Sequence, residues 1–218
     1  MKILKLGLAI ALCVGLMQNA FAGVIIAPTS GVINSGGPGF GSLSNTFDQS
    51  GLSSNYIAGV TDFNTYLATN PTHTTTFSGF EWFGNSGAGP ASVTYNFGSV
   101  VTVDALALWN EESTGIGVLD LYSSIDGLNF SLLAGGLLPT DHFLADYTAD
   151  VFNLSAATLQ YIRFDMSGCP QPNVGAQFSC AIGEVAFREA GSQVPEPASL
   201  ALVGLGLAGL AVRRRRQV

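Results

Sequence analysis

Residues 23–189 alternate apolar and polar positions over short runs, and no stretch keeps apolar residues at helical spacing for three turns. The alternating or apolar runs cover residues 93–97, 119–121, 130–133, 162–166 and 185–187. Short strands separated by turn residues are typical of antiparallel sheets. The pattern therefore predicts an all-β domain, an antiparallel jelly-roll sandwich.

The parity of the apolar positions changes inside one of these runs. Val101 and Val103 share one parity, whereas Leu106 and Leu108 share the other. Since side chains alternate strictly along a strand, the change predicts a β-bulge near Asp104-Ala105.

Glycine-containing pairs mark two turns. Gly98-Ser99 follows the run at 93–97 and predicts a break in that strand, and Asp126-Gly127 predicts a tight hairpin turn into 130–133.

The first 22 residues have the three parts of an export signal. Lys2 and Lys5 precede an apolar run at 6–17, and the small-x-small sequence Ala20-Phe21-Ala22 follows. This order predicts a signal peptide, residues 1–22, handled by the Sec translocon and signal peptidase, with Gly23 as the first mature residue. A permanent N-terminal anchor is the alternative.

Residues 191–218 also have three parts in fixed order. Pro195, Glu196 and Pro197 come first, an apolar run at 198–212 follows, and a cationic end closes the chain with Arg213, Arg214, Arg215 and Arg216. The apolar run predicts a short transmembrane helix, below the ~20 residues that cross a bilayer untilted. The arginines would stay on the cytoplasmic side.

This tail closely resembles the PEP-CTERM sorting tail of Gram-negative bacteria. The resemblance implies recognition and removal by exosortase, a membrane protease. It also implies transient anchoring in the inner membrane, followed by delivery to the cell surface or the extracellular matrix.

The charge of the middle segment differs from that of the whole chain. The two ends hold six of the eight basic residues, and fourteen of the fifteen acidic residues lie between them, so the net charge of the middle is about −12. Phosphate backbones are repelled by such a surface, which disfavours nucleic-acid binding. Neutral sugars, or divalent cations, remain compatible with it.

The cysteines fit an exported domain. Cys13 would leave with the signal peptide, so the mature chain keeps Cys169 and Cys180. An even pair in an exported chain favours a disulfide, with two free thiols as the alternative. The ten intervening residues contain no histidine, so a metal site is a poor competitor.

Six segments in order resemble discoidin-like domains, the coagulation-factor type C or galactose-binding-like family, over roughly residues 31–189. They are 45–48, 95–98, 101–108, 121–130, 161–164 and 182–187. The resemblance implies an eight-stranded jelly roll that commonly binds glycans through loops at one end. The chain departs from the family in a longer stretch at 51–85, and Gln49 replaces the family's glycine.

The same resemblance implies a structural calcium ion between Asp48 and Glu184, the acids at the family's ligand positions. Backbone carbonyls of the 45–50 loop would complete the oxygen shell that Ca²⁺ requires. The alternative is that both acids are solvated surface groups.

Two tryptophans stand beside polar residues at predicted strand ends. Trp109 precedes Asn110 and Glu111, and Trp82 follows Glu81. An exposed indole beside such groups suits sugar binding, so we expect Trp109, Asn110, Glu111 and Trp82 to contact a ligand. The alternative is that both rings pack in the core, which is favoured for Trp82.

The sequence gives no support for catalysis. His73 and His142, the only histidines, lie outside any nucleophile motif and are expected to be solvated loop residues. No pair of carboxylates stands out for glycoside hydrolysis. We therefore expect a protein without enzymatic activity.

Together these features predict an exported, exosortase-sorted extracellular or cell-surface protein that binds carbohydrate, most plausibly matrix exopolysaccharide. The alternative is a self-associating structural protein of the biofilm matrix with no small ligand.

Overall fold

The computed structural model describes residues 23–191, apart from 77–78, 86, 88 and 173–178. The described strands are β1 (Ile25–Ile26), β2 (Ser30–Ser35), β3 (Phe40–Gly41), β4 (Thr72–His73), β5 (Trp82–Phe83), β6 (Ala91–Trp109), β7 (Val118–Ser124), β8 (Ser131–Leu137), β9 (Tyr147–Thr148), β10 (Asp150–Ser167), β11 (Ala181–Ile182) and β12 (Glu184–Glu189). The helices are a 3-10 turn at Leu43–Thr46 and the α-helix α1 at Phe63–Leu67.

The expected signal helix at 1–22 and the tail helix at 198–212 lie outside the described residues. Within the described part of the chain, no helix has the length and apolar character needed to cross a membrane.

Two long antiparallel strands, β6 and β10, run through both layers of a β-sandwich. The main sheet has the order β1-β12-β6-β10-β7-β8, and β2 also pairs with β6. The first half of β6 pairs with β2 and the end of β10, whereas its second half pairs with β12 and the start of β10. The expected all-β fold with antiparallel sheets is confirmed. The predicted break at Gly98-Ser99 is wrong, because β6 continues through Gly98 at φ +79°.

The main core lies between the two layers. Phe164 contacts both Tyr95 of the first layer and Phe187 of the second, with ring centroids 5.2 and 6.3 Å apart. The predicted alternation is confirmed at Val93, Tyr95, Phe97, Ile162, Phe164 and Met166, which are all buried.

The predicted bulge in β6 is confirmed at Asp104. On β12, Arg188 pairs with Ala105 and Glu189 with Val103, so Asp104 has no partner in this ladder. The extra residue changes the side-chain parity, and Val103 and Leu106 both reach the main core.

A second core covers the outer face of the second layer. There Ala105, Ala107 and Trp109 of β6 pack with four aromatic residues from other parts of the chain. They are Tyr56, Phe63, Tyr66 and Tyr147. Three of these aromatic residues come from the stretch that is longer than in the resembled family. The layer is therefore buried on both faces, which explains why Glu184 of β12 is buried.

The β7–β8 hairpin is joined by a connection at 125–130 that is longer than the predicted tight turn. Asp126 organises it, because its Oδ1 accepts hydrogen bonds from the Ser124 hydroxyl and from the N–H groups of Leu128 and Asn129.

The disulfide between Cys169 and Cys180 is confirmed, with Cα atoms 4.9 Å apart. It connects the end of β10 to the start of β11.

Candidate functional site

A groove lies on the outer face of the first layer, built mainly on the polar face of β10. Tyr161, Arg163 and Asp165 alternate with buried residues, so they project away from the core. In the sheet register, Arg163 stands between Thr94 of β6 and Tyr122 of β7. The groove has a volume of about 460 Å³ and is lined by Val32, Asn34, Ser92, Thr94, Gly127, Phe130, Tyr161, Arg163 and Asp165.

Arg163 is held in place by a carboxylate and two rings. Its Nε and Nη2 donate to the two carboxylate oxygens of Asp165, at 3.0 Å each. Its guanidinium carbon lies 4.4 Å from the ring centroid of Tyr122 and 4.9 Å from that of Phe130. A two-point ion pair and ring stacking both fix the guanidinium plane.

Asn34 and Ser92 extend this polar network along the groove. The Ser92 hydroxyl donates to Oδ1 of Asp165 at 2.7 Å, and Nδ2 of Asn34 donates to the hydroxyls of Ser92 and Thr94 at 3.0 and 2.9 Å. The groove thus combines aromatic surface with oriented donors and acceptors, and its one ion pair is charge-balanced. This chemistry suits an uncharged ligand rich in hydroxyl groups.

The alternation at 162–166 predicted a strand but did not identify Tyr161, Arg163 and Asp165 as parts of a site. The sequence did contain an indication of this site. Arg163 is one of only two arginines in the acidic middle segment, which has no lysine. The partners of Arg163 on β2 and β6 are distant in sequence, and only the fold brings them together.

The expected tryptophan site is wrong, because both indoles are fully buried. Trp82 donates from Nε1 to the carbonyl of Pro38, and Trp109 donates to the carbonyl of Pro71, each at 3.0 Å. Each ring thereby satisfies its one polar group inside the protein, and the core-packing alternative holds for both.

Asn110 and Glu111 are also buried, and their side chains hold a loop together. Nδ2 of Asn110 donates to the carbonyls of Ile116 and Thr140, and its Oδ1 accepts from the N–H of Ile116. Glu111 accepts from the Ser113 N–H and hydroxyl. Residues that follow a strand directly are often solvated, but the second core covers this end of β6.

The loop at 45–50 closes over Glu184, as the expected calcium site requires. Oε2 of Glu184 accepts the N–H of Gln49 at 2.9 Å, whereas Oε1 is buried without a hydrogen-bond partner among the described residues. Burial raises the pKa of Glu184 well above its usual value, and the charge of Asp48 raises it further. A buried carboxylate oxygen beside a second acid fits a hard cation such as Ca²⁺. Asp48 itself is exposed, and its Oδ1 accepts the N–H of Ser50 at 2.8 Å.

Gln49 keeps the backbone shape expected of the family's glycine, with φ +68°. Its Oε1 accepts the N–H of Tyr56 at 2.7 Å, which offsets part of the cost of that left-handed conformation.

Residues 193–216 match the PEP-CTERM protein-sorting motif. This match confirms the resemblance of the tail to a PEP-CTERM sorting tail, and the motif implies export and exosortase processing at a membrane. The matched segment is outside the described residues. No curated protein sequence matches the chain.

The structure is similar to solved carbohydrate-binding modules. Chitosan-binding module 1 from a chitosanase/glucanase of Paenibacillus sp. IK-5 is 19% identical, with 74% of this chain and 95% of that chain covered and a TM-score of 0.47. The CBM32 of AlyQ, in complex with 4,5-unsaturated mannuronic acid, is 17% identical over 75% and 96% of the two chains, with a TM-score of 0.47. CpGH89CBM32-5 of Clostridium perfringens, in complex with GalNAc-beta-1,3-galactose, is 12% identical over 72% and 93%, with a TM-score of 0.49.

Proposed function

We propose that this exported protein binds carbohydrate without catalysis, through the groove of Arg163, at the cell surface or in the extracellular matrix. The observation that carries the proposal is the Arg163 guanidinium, fixed between the Tyr122 and Phe130 rings and the Asp165 carboxylate. Nε and Nη2 bind the Asp165 carboxylate, so Nη1 would be the group that donates to a ligand hydroxyl, and the ring of Phe130 would offer an apolar surface to a sugar face.

The net charge of the protein restricts the class of polysaccharide that it can bind. Outside the two ends the chain has a net charge of about −12, so an anionic polymer would be repelled over most of the surface. The groove has one balanced ion pair. We therefore infer a neutral exopolysaccharide of the matrix as the ligand.

The proposed route begins in the cytoplasm of a Gram-negative bacterium. The Sec translocon exports the chain, signal peptidase removes residues 1–22, and Arg213–Arg216 hold the tail at the inner membrane until exosortase cleaves it. The PEP-CTERM match supports the last step.

A Ca²⁺ ion at Asp48 and Glu184 is proposed as a structural element. It would join the 45–50 loop to β12 and would neutralise the buried Glu184 carboxylate. This ion would lie in the loop region and is given no role in the groove.

The test is binding of the full chain, purified in mild detergent, to a panel of neutral and anionic polysaccharides by affinity electrophoresis. We expect retention by at least one neutral polysaccharide and a loss of affinity of about tenfold in Phe130→Ala, which corresponds to ~1.4 kcal/mol. Leu138→Ala removes a side chain that is 71% exposed and serves as the matched control. Absence of retention by every polymer, or equal losses in both variants, contradicts the proposal.

One observation favours the alternative, a self-associating matrix protein. Strand β8 ends the main sheet, and its sequence SLLAGGL has no charge. An uncharged edge strand can accept a strand from a second molecule.

A further inference from the structure

Three glutamates meet in the interior at a place unrelated to the groove. Glu81 directly precedes β5, whereas Glu111 and Glu112 come two and three residues after the end of β6. One oxygen of each carboxylate lies within 4.8 Å of the others, and the three residues are 0%, 1% and 5% exposed. We call these residues the glutamate cluster.

The chain offers almost no positive charge to balance this cluster. Residues 23–191 contain no lysine and two arginines, and Arg163 and Arg188 form ion pairs with Asp165 and Asp104. A basic group, His73, lies beside the cluster, with its Nδ1 3.3 Å from Oε1 of Glu81. Even a fully protonated His73 offsets only one of three carboxylate charges, and an unbalanced buried charge costs several kcal/mol.

Two oxygens of the cluster are buried without a hydrogen-bond partner among the described residues: Oε2 of Glu81 and Oε2 of Glu112. Buried polar atoms nearly always have a partner, so these two atoms indicate a ligand. The Glu81 carboxylate is held at its other oxygen, because the Tyr147 hydroxyl donates a hydrogen bond to Oε1 at 2.7 Å.

The third carboxylate is fixed in advance. Glu111 accepts the N–H groups of Ser113 and Thr114 through Oε2, and the Ser113 hydroxyl through Oε1 at 2.6 Å. A carboxylate oxygen has two lone pairs, so these bonds leave Glu111 able to face a cation as well.

From this arrangement we infer that the glutamate cluster is a second divalent-cation site, which binds Ca²⁺ through the carboxylates of Glu81, Glu111 and Glu112. Oxygen ligands without sulfur favour hard cations such as Ca²⁺ over zinc or copper. The site is separate from the candidate ion at Asp48 and Glu184. Those two acids belong to another loop and another strand, and neither is a member of the cluster.

The electrostatics agree with this inference. Burial, and then the charge of Glu112, raises the pKa of Glu111 to about 8. Burial also raises the pKa of Glu112. Both shifts mean that burial disfavours the charged forms of these carboxyl groups, and a bound cation would favour them.

His73 connects the two sites. The structure corrects the expectation of a solvated histidine, because His73 is fully buried and its Nε2 lies 3.0 Å from the carbonyl oxygen of Ser50. The N–H of Ser50 in turn donates to Asp48. An ion in the cluster would therefore order Glu81 and His73 beneath the 45–50 loop.

The test counts calcium bound to the full chain after removal of metals with a chelator, by equilibrium dialysis. The variants are Glu112→Gln, Glu184→Gln and the double variant, and Glu189→Gln is a matched control at the end of β12. We expect Glu112→Gln to lose one ion per chain, with its affinity lowered at least about tenfold. Glu184→Gln should keep that ion, and Glu189→Gln should bind as the wild type does.

A second measurement distinguishes loss of the bound ion from misfolding of the variant. In chelator, Glu112→Gln should melt at a higher temperature than the wild type, because the amide removes a like charge while keeping the shape. In Ca²⁺ the order should reverse. The inference is overturned if Glu184→Gln binds no calcium, or if Glu112→Gln binds as much as the wild type. If the protein binds calcium at the glutamate cluster but not at Asp48 and Glu184, Glu184→Gln should bind as the wild type does. Glu112→Gln should then bind no calcium.

Discussion

The hydroxyl of Tyr147 lies 2.7 Å from Oε1 of Glu81, although the two residues are 66 positions apart in the sequence. Burial raises the pKa of Tyr147 well above its usual value, and the charge of Glu81 raises it further, so the hydroxyl stays protonated and donates a hydrogen bond to the carboxylate. This one bond joins β9 to the residue before β5 inside the protein.

Replacing Tyr147 with phenylalanine should therefore destabilise the protein. The change leaves a buried carboxylate oxygen with fewer donors, a loss of about 1–3 kcal/mol. The measurement is urea unfolding of the full chain in chelator. Tyr56→Phe is the control, because its buried hydroxyl has no hydrogen-bond partner among the described residues and its removal should be nearly neutral.

Trp109→Ala should destabilise the domain rather than remove a ligand contact. The indole is fully buried in the second core, so its loss leaves a cavity and costs about 3–5 kcal/mol. Phe130→Ala, at the groove, should cost much less. Thermal unfolding followed by circular dichroism compares the two, and equal stabilities would contradict the assignment of Trp109 to the core.

We expect Asp126 to make the stability of the folded protein depend on pH in the acidic range. The Asn129 N–H, then the Asn129 side chain and the Leu128 N–H, lower the pKa of Asp126 below its usual 3.8 in the folded protein. A lowered folded pKa stabilises the protein above the unfolded value, and this contribution is lost as the pH falls through the folded value.

We therefore expect Asp126→Asn to melt below the wild type at neutral pH, with a difference that shrinks as the pH falls below about 4. Melting curves from neutral to strongly acidic pH measure this. A difference that stays constant over the whole range would show that the carboxylate charge has no part in holding the β7–β8 connection.

The edge strand β8 gives a test of self-association. Leu132 is 61% exposed, and a lysine there would place a charge along an edge that has none. If β8 joins molecules, Leu132→Lys should reduce the increase in light scattering with concentration, with and without Ca²⁺. The control is Leu128→Lys, in the adjacent connection, where the side chain is 84% exposed and no strand edge is available.

Local patterns along the chain were sufficient to predict strands within β6, β7, β8, β10 and β12, but not the short strands. Because side-chain parity is fixed by the backbone, the change between Val103 and Leu106 located the bulge at Asp104 without any knowledge of the partner strand. The spacing and compartment of Cys169 and Cys180 likewise gave the disulfide.

The sites depended on contacts between distant segments, which such patterns do not encode. The polar residues after Trp109 suggested an exit to solvent, but Tyr56, Phe63 and Tyr66 cover that face from a segment about 50 residues earlier. Glu111, expected to contact a ligand, is instead buried and accepts hydrogen bonds from Ser113 and Thr114. For the groove, alternation at 161–165 gave the face but not the partners Asn34 and Phe130.

The chain leaves the described domain at Gly191, two residues after β12 ends. A pulling force transmitted through that end would first load the bonds that join β12 to β6 and β1. Since β6 continues into the other layer, the tension would spread across the whole domain instead of peeling off one strand. A mechanical strength well above that of a terminal hairpin is the expected consequence.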